Sequence, residues 1–587
     1  MKSKGAASLV GNKSILVKEK GGDMKIFAIK VRLQLVPLLG MILGCSPVFY
    51  SSCASPQKEE AEFVDFISRY EEVYLPQSLE IQDAYWRYAE VGTDSNLIKV
   101  GSLLKARHRV LHDQNAFRYL SRLREKGTIS DPYLQRQLEV LYRMYLPCQA
   151  PLGIQDSILS IELDLKHRMM TRLSDSGMRE ADFVLRNSKK EADLEKAWLY
   201  VKSSGNELGQ KVRQLVRLRN RLAQSVGFDD YFALSLFLEE QEESYIDSLF
   251  HELEGSTEEA YMAMRMRLDS VLFPDRGNSQ LRPWHLRGKF FRLGQRAYGT
   301  ARDGFYEYVS MENVVVRFFS SISLDLSDVF ARSRISAQSV YLPWLSCINM
   351  DCGQDVRIIG RISGTESDMQ MMLAMAAEAA YYKHISHSLP SLLRCPSSPL
   401  IFCGIAAFFA RMAAYPNWVL SMGVFSAGQT FGLKGSTLRA MRQDQLFTCR
   451  WWLMMYDFEK RMYENPDQDL DVLWASLFSK YMRIDLGSER LGLSDWAAEN
   501  YFSMYAVQAH NFVMGELWAS QLLEHLCQID SRMGKESNPN IVGDGDAGQY
   551  IKRYVFHPGA SQSWQDLTVS ATGSPLSNQA FLRQFAR

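Results

Sequence analysis

The feature that most constrains this chain is a long stretch without proline. No proline occurs between Pro151 and Pro274, and the sequence between them is rich in Leu, Glu, Arg and Ala. Proline interrupts helices, whereas these four residues favour them. Within the stretch, Gly205 and Gly227 are the expected helix ends. Apolar side chains at three- and four-residue spacing also occur over residues 59–146, so the sequence predicts long helices in both regions.

The charge balance of the chain excludes one class of partner. The 587 residues include 67 Lys and Arg and 67 Asp and Glu, which gives a formal net charge of zero. Binding to a phosphate backbone is driven largely by excess positive charge, so no nucleic-acid partner is expected. Apolar residues make up 46% of the chain and charged residues 23%, which is typical of a folded globular protein and not of a disordered one.

The N-terminal region has the residue order of an export signal. Basic residues within 25–32 precede a mostly apolar run over 33–44, and small residues follow. The run is shorter than the roughly 20 apolar residues of a transmembrane helix. We therefore assign residues 1–52 to an export or lipoprotein signal, with Met24 as a candidate true start.

Two cysteines near the end of this segment resemble the lipidated cysteine of bacterial lipoproteins. Cys45 has the more suitable residues before it, and Cys53 is followed by a hydrophilic sequence typical of a tether. The sequence does not decide between them, and a plain secretory signal and a membrane anchor are the alternatives to lipidation. We expect a protein of the bacterial cell envelope, lipid-anchored or periplasmic/extracytoplasmic.

Export would permit disulfides among the remaining seven cysteines. Cys347 and Cys352, and also Cys395 and Cys403, are close enough in sequence to pair. Seven is an odd number and no spacing repeats, so we expect most of these cysteines to be free buried thiols. No C-x-x-C pair occurs, which leaves a cysteine zinc cluster without support.

Short strands and a buried helix are predicted in the middle of the chain. Residues 338–349 and 356–363 alternate in polarity, with a turn at 351–355, so a small β-hairpin is expected near 338–363. The sequence from Met369 to Tyr382 contains four methionines and one charged residue, which predicts a buried helix.

Six segments of the chain occur in the order in which a known peptidase family carries its motifs. They are residues 216–235, 281–285, 465–470, 511–522, 555–564 and 571–576. Together they resemble the angiotensin-converting-enzyme family of zinc peptidyl dipeptidases, in its bacterial branch. The resemblance implies that residues 57–587 form an all-α domain, a two-lobed shell of long helices around a deep central channel, with lobes that the sequence does not separate.

The chemistry of that family depends on a helix with the pattern H-E-x-x-H. Its two histidines share one helix face and bind zinc, the first glutamate activates the water, and a glutamate on the next helix completes the site. The resemblance places Ala374, Met375 and Glu378 at the positions of the first histidine, the base and the second histidine. Cys403 stands at the position of the third ligand. The resemblance therefore implies that zinc and base are both lost.

The family also uses a histidine and tyrosines to hold the oxyanion and the substrate. The corresponding positions hold Tyr501 or Phe502, Ala509 and Phe512. Phenylalanine has no hydroxyl group to donate to an oxyanion, so Tyr501 is the one donor that would remain.

Two alternatives concern the residues around Glu378. A rebuilt zinc site could use Glu378, His384, His387 and Cys403, but a helix turns about 100° per residue, so His384 should point away from Glu378. A lone carboxylate on such an apolar helix must be solvated by the channel or paired with a cation, and we expect a pairing.

One further segment is similar to a metal-binding loop. Residues 542–548 contain Asp544 and Asp546 between glycines. The regular spacing and the final glutamate of a calcium loop are missing, so a surface loop is expected.

The expected function is that of an exported, lipid-anchored pseudo-peptidase with no catalytic residue, metal or cofactor. It would bind a peptide in its channel or serve as a scaffold for envelope proteins, and a lipid would attach it to the membrane. Met375, Phe402 and Phe512 are expected to fill the space that the metal site vacates. The alternative is an active zinc peptidyl dipeptidase with a rebuilt site, although H-E-x-x-H occurs nowhere in the chain.

Overall fold

The computed structural model describes residues 56–272, 281–285, 306, 309–336, 339–351, 353–425, 434–487, 490, 492–499, 501–535 and 538–585. The predicted export signal, Cys45 and Cys53 lie outside these residues. All the described residues belong to one compact unit, Ser55–Arg587.

The first part of the chain consists of helices joined by short loops, as predicted from the proline-free stretch. Aspartate side chains begin many of them: Asp113, Asp131, Asp175 and Asp230 each accept a hydrogen bond from a backbone N–H in the first turn. The helices are α1 Pro56–Val91, α2 Asp94–Leu111, α3 Gln114–Lys126, α4 Pro132–Tyr145, α5 Leu152–Ser174, α6 Ser176–Asn187, α7 Glu191–Lys202, α8 Ser204–Ser225, α9 Tyr231–Leu238 and α10 Glu243–Leu272.

The second part of the chain is also mostly helical, and it supplies the residues that the resemblance singles out. Its helices are α11 Met311–Ser321, α12 Ser327–Arg332, α13 Glu366–His384, α14 Pro399–Ala410, α15 Pro416–Ser421, α16 Lys434–Glu464, α17 Leu470–Met482, α18 Tyr501–Met504, α19 Ala509–Ile529, α20 Gly545–Ile551, α21 Trp564–Thr572 and α22 Gln579–Arg583. The prediction of a mostly helical protein is confirmed.

A small three-stranded sheet lies between α12 and α13 in sequence. Its strands are β1 Arg334–Ile335, β2 Ser346–Asn349 and β3 Val356–Gly360, in the order β1-β3-β2. The predicted hairpin is present as the antiparallel pair β2 and β3, while β1 adds a parallel strand. The first predicted strand begins later than expected because the backbone N–H groups of Tyr341 and Leu342 donate to carbonyls at the end of α1.

The two glycines expected to end helices behave differently. Gly227 follows α8 with a φ of +96°, a conformation that glycine adopts easily, so this prediction is correct. Gly205 lies in the first turn of α8, and the prediction that it ends a helix is wrong. A Cβ atom at this position would lie 1.9 Å from the carbonyl oxygen of Ser494, so the glycine allows close packing instead.

The main hydrophobic core is built around the central helices α13, α14, α16 and α19, and a separate core lies under α1 to α4. The predicted buried helix is confirmed as α13, in which Met369, Met372 and Tyr381 have no accessible surface. Among the helices that the structure describes, none has the length and apolar character needed to cross a membrane.

The cysteines within the described residues are free thiols, as expected for most of them. Cys395 and Cys403 do not form the disulfide that their spacing would allow, and Cys347 is also free. Its possible partner, Cys352, lies outside the described residues. Cys395 is exposed, so it departs from the expectation of buried thiols.

Candidate functional site

Helix α13 carries Ala374, Met375 and Glu378, which the resemblance places at the zinc and base positions. It begins at a capping box, in which Thr365 Oγ1 accepts from the N–H of Asp368 at 3.1 Å and Asp368 Oδ2 accepts from the N–H of Thr365 at 3.0 Å. Lys383 occupies the last turn, where its positive charge suits the helix dipole. These local signals fix the helix and therefore the positions of its side chains.

One face of α13 remains accessible although the helix lies in the core. Met371, Met375, Glu378 and Tyr382 are half-buried, whereas the residues between them are buried. Steps of three and four residues place these four side chains on one side of a helix. Ala374 lies beside them but is only 8% exposed. This face is therefore solvent-accessible, and we call the space along it the inner cavity.

Helix α14 contributes a second accessible face. The half-buried side chains after its first residue have the same helical spacing, and they are Phe402, Cys403, Ala406, Ala407 and Ala410. The side of the helix that carries Cys403 and Gly404 packs closely on α19. A Cβ atom at Gly515 would lie 2.9 Å from the Cβ of Cys403, and one at Gly404 would lie 2.6 Å from the Trp518 ring. Cys403 therefore lies where the contact with α19 meets the accessible face of α14.

Helices α16 and α19 add aromatic and polar side chains. Trp452 and Phe512 are half-buried and stacked, with ring centroids 4.3 Å apart. One turn further along α19, Glu516 accepts from Gln445 Nε2 at 2.8 Å and forms an ion pair with Arg411 at 2.7 Å. This end of the inner cavity is therefore polar and its charges are paired.

The walls of the inner cavity meet at several contacts. The rings of Tyr382 on α13 and Phe402 on α14 lie 5.4 Å apart. Burial raises the pKa of Cys403 above its usual range, and the nearby Glu378 carboxylate raises it further. Burial and Glu378 also raise the pKa of Cys347 on β2 and of Tyr505 after α18. Glu378 thus lies close to residues from three other segments.

Glu378 has an unusual environment for a carboxylate. Burial raises its pKa from the usual 4.5 to about 8. Within the described part of the chain, no side chain or N–H donates a hydrogen bond to it and no cation pairs with it. The expected pairing with a cation is therefore absent, because the side chains on its own face and on the facing helix are apolar or uncharged. The other expected possibility, contact with an accessible cavity, agrees with its half-buried state.

Tyr501 does not face the inner cavity as a free donor. Its hydroxyl donates to Glu459 Oε2 at 2.9 Å and accepts from the N–H of Gln508 at 2.5 Å, and only 7% of the residue is exposed. Glu459 also accepts from the N–H of Val507 at 2.7 Å, and burial raises its pKa to about 8. The sequence does not indicate this contact, because Glu459 and Tyr501 lie on different helices.

The structure brings some of the predicted site residues together and separates others. Met375, Glu378, Cys403 and Phe512 border the inner cavity. The other four predicted site residues are buried, and they are Ala374, Tyr501, Phe502 and Ala509.

The expected filling of the vacated space is only partial. Met375, Phe402 and Phe512 lie at the wall, as expected, but all three keep accessible surface.

The residues proposed for a rebuilt zinc site do not assemble. His384 stacks on Phe556 with ring centroids 6.4 Å apart, and burial lowers its pKa to about 4. His387 is exposed beyond the end of α13. Nowhere in the described ranges do three or more His, Cys, Asp or Glu side chains form a group that could hold a metal ion. The donor set near Glu378 therefore does not fit zinc.

The loop at residues 542–548 has a structural role. Arg532 donates to Asp546 Oδ2 at 2.8 Å and to Asp544 Oδ1 at 3.3 Å, so a guanidinium group lies between the two carboxylates. Asp544 Oδ1 also accepts from backbone N–H groups at the start of α20. The prediction of a surface loop is correct only in part, because Gly545 begins helix α20 and Asp544, Ala547 and Gly548 are buried.

A second polar group near the inner cavity was missed by sequence reasoning. Glu239 accepts from Asn511 Nδ2 at 2.7 Å and from Gln508, and its Oε2 lies 3.3 Å from His510 Nε2. Glu239 raises the pKa of Cys403, which places it close to α14. The polar residues at 508, 510 and 511 are the only sequence signal, since their partner lies far away in the chain.

Two surface clefts lie apart from the inner cavity. One, of about 580 Å³, is lined by α10 and α16, where Lys460 pairs with Asp247 at 2.7 Å. The other, of about 640 Å³, has the buried ion pair of Lys202 and Glu499 in its wall. Because their main charged groups are already paired within the protein, neither cleft offers as clear a ligand-binding group as Glu378.

Comparisons of the chain with protein-family models and with curated protein sequences find no match. Membership of the peptidyl-dipeptidase family is therefore a hypothesis that rests on the ordered motifs.

Proposed function

We propose that this chain is an exported, lipid-anchored pseudo-peptidase that binds peptides in an inner channel and does not cleave them. The observation that carries the proposal is the accessible face on each of α13 and α14, bordered by Met375, Glu378 and Cys403 at the family's zinc and base positions. A space of this kind in the core of a helical protein is a typical ligand site.

The chemistry of the cavity wall supports binding without hydrolysis. Peptide hydrolysis needs an activated water and donors for the oxyanion. Met375 has no basic group, Phe512 has no hydroxyl group, and the Tyr501 hydroxyl is engaged by Glu459 and Gln508. These residues can contact a peptide but supply none of the catalytic functions.

The composition of the wall also suits a peptide. Phe402, Trp452 and Phe512 offer apolar contacts for side chains, and the polar group around Glu516 lies at one end. Such a mixture of apolar surface and a few fixed polar groups is typical of sites that bind small peptides. The predicted export signal would place the domain outside the cytoplasm, attached through Cys45 or Cys53.

A cavity-filling variant tests this proposal. The full chain, purified in mild detergent, is incubated with a peptide library, and the retained peptides are identified by mass spectrometry. We expect intact peptides to be retained, and Ala407→Trp to lower their retention by about tenfold or more because the indole occupies the inner cavity. Ala61→Trp, on the exposed face of α1, is the matched control.

Two results would contradict the proposal. Failure of the wild-type chain to retain any peptide would remove the binding function and leave a scaffold role for other envelope proteins. Retention by Ala407→Trp equal to that of Ala61→Trp would show that peptides bind outside the inner cavity.

A further inference from the structure

Glu378 differs from Glu516 and Glu239, the other carboxylates near the inner cavity, in having no partner among the described residues. Glu516 is bound by Arg411 and Gln445, and Glu239 is bound by Gln508 and Asn511. Both are therefore satisfied within the protein. No described residue supplies Glu378 with a hydrogen bond or a positive charge, although it lies on the accessible face of α13. Water or a ligand in the inner cavity can supply that partner.

The side chains around Glu378 favour a positively charged partner. Met371, Met375 and Tyr382 share its helix face, and Phe402 lies opposite with its ring 5.4 Å from that of Tyr382. An unpaired carboxylate in such surroundings is unstable, and a positive charge beside it removes much of that cost. The electron-rich faces of aromatic rings also attract cations.

A metal ion is a poor match for this position. The nearest potential ligands besides Glu378 are the thiols of Cys347 and Cys403, and burial together with Glu378 raises the pKa of both. Among the described residues, these side chains belong to no group of three or more ligands that could hold a metal ion. An ammonium group needs no deprotonated thiol, and its apolar substituent can contact the methionine and aromatic side chains.

We propose that Glu378 binds the ammonium group of an amine ligand, with the apolar part of the ligand lying along Met375, Phe402 and Phe512. This inference rests on the proposed function and specifies it: the peptide enters the inner cavity with a positively charged amino group directed at Glu378. That amino group is either a free peptide N-terminus or a lysine side chain, and both share the same chemistry.

A matched pair of small probes tests the amine site. Isothermal titration calorimetry of the full chain at about pH 9, where Glu378 is mostly ionised, compares phenethylamine, which is still cationic, with phenethyl alcohol, which is neutral and of similar shape. We expect the amine to bind about tenfold or more tightly than the alcohol, because a charge-assisted hydrogen bond is added. Glu378→Gln should remove this preference and leave the alcohol unchanged, while Glu72→Gln on exposed α1 serves as the control.

A second variant keeps the test informative if Glu378→Gln folds poorly. Met375→Lys places an ammonium group three residues before Glu378 on the same helix face, where the two can pair. We expect this internal cation to abolish the preference for phenethylamine. Circular dichroism of each variant shows whether the helices are retained.

Peptide pairs distinguish the two sources of the amino group. Loss of binding on N-terminal acetylation identifies a free N-terminus, and loss on replacing lysine by norleucine identifies a lysine side chain. The proposal is overturned if phenethylamine and phenethyl alcohol bind equally, if neither binds, or if Glu378→Gln leaves the preference intact. The peptide-library experiment decides the proposed function independently, since peptides can be retained without any dependence on Glu378.

Discussion

Glu378 is a carboxyl group held in an apolar wall, and its protonation is coupled to folding. Its pKa is about 8 in the folded protein against a usual value of 4.5. Between these two pH values the folded state binds more protons at this site than the unfolded state does. The contribution of Glu378 therefore lowers the stability of the fold as the pH rises from about 4.5 to about 8.

Replacing Glu378 by Gln should remove this loss of folding stability at high pH. We expect Glu378→Gln to exceed the wild type in free energy of unfolding by about 2–4 kcal/mol at about pH 8.5, and to differ little at about pH 5. Urea denaturation at the two pH values measures the difference, and Glu72→Gln, with its exposed carboxylate, should show no such dependence. An equal effect at both pH values would contradict the raised pKa.

We assign a structural role to Tyr501. Its hydroxyl donates to the buried Glu459, so Tyr501→Phe should lower the free energy of unfolding by about 1–3 kcal/mol. Tyr133→Phe, at a position on α4 that is 50% exposed, should change it by less than about 0.5 kcal/mol. Thermal or urea unfolding measures both. Unchanged stability of Tyr501→Phe, combined with loss of peptide binding, would instead assign Tyr501 to the ligand site.

At the scale of elements, the contact between α14 and α19 sets the cavity wall. Two glycines, Gly404 and Gly515, let the helices approach closely and so fix the position of Cys403 beside the inner cavity. A methyl group at Gly515 would lie 2.9 Å from both the Cys403 Cβ and the Gly404 backbone nitrogen. The two helices would have to separate to accommodate it.

Gly515→Ala should therefore destabilise the fold by about 2–4 kcal/mol and weaken peptide retention, because Cys403 and Phe402 move. Gly255→Ala is a matched control within α10, where a Cβ atom would meet nothing within 4 Å. It should stabilise the fold by about 0.5–1 kcal/mol, since alanine is the better helix former. Equal effects of the two substitutions on urea unfolding would exclude a close contact at Gly515.

The helices and the hairpin could be predicted because their signals are local. The Thr365 cap, the apolar content of α13 and the alternation around β2 and β3 can be read within short windows of sequence. The accessible faces could not be predicted, because α13 and α14 are apolar on nearly all sides and no periodicity distinguishes a cavity wall from core packing. The contact of Tyr501 with Glu459 and the role of Gly205 could not be predicted either, since both depend on segments that are distant in sequence.

In the molecule as a whole, many charged groups at the surface are paired, whereas the carboxylate of Glu378 has no partner among the described residues. The net charge is zero, and many surface cations, such as Lys460, are paired with carboxylates. Among the described residues, Glu378 is a carboxylate at the inner cavity without a partner. The motifs in the sequence suggested where a site should lie, whereas the side-chain environment was needed to propose what it binds.

Native mass spectrometry shows directly whether the chain binds peptides without zinc and without cleaving them. The full chain is purified without chelators or a histidine tag and incubated with the peptide library. One spectrum reports whether each chain carries a zinc ion and whether the bound peptides are intact. We expect chains without zinc that carry peptides of unchanged length. Chains with one zinc ion each, together with peptides shortened by two residues, would contradict it and identify an active peptidyl dipeptidase.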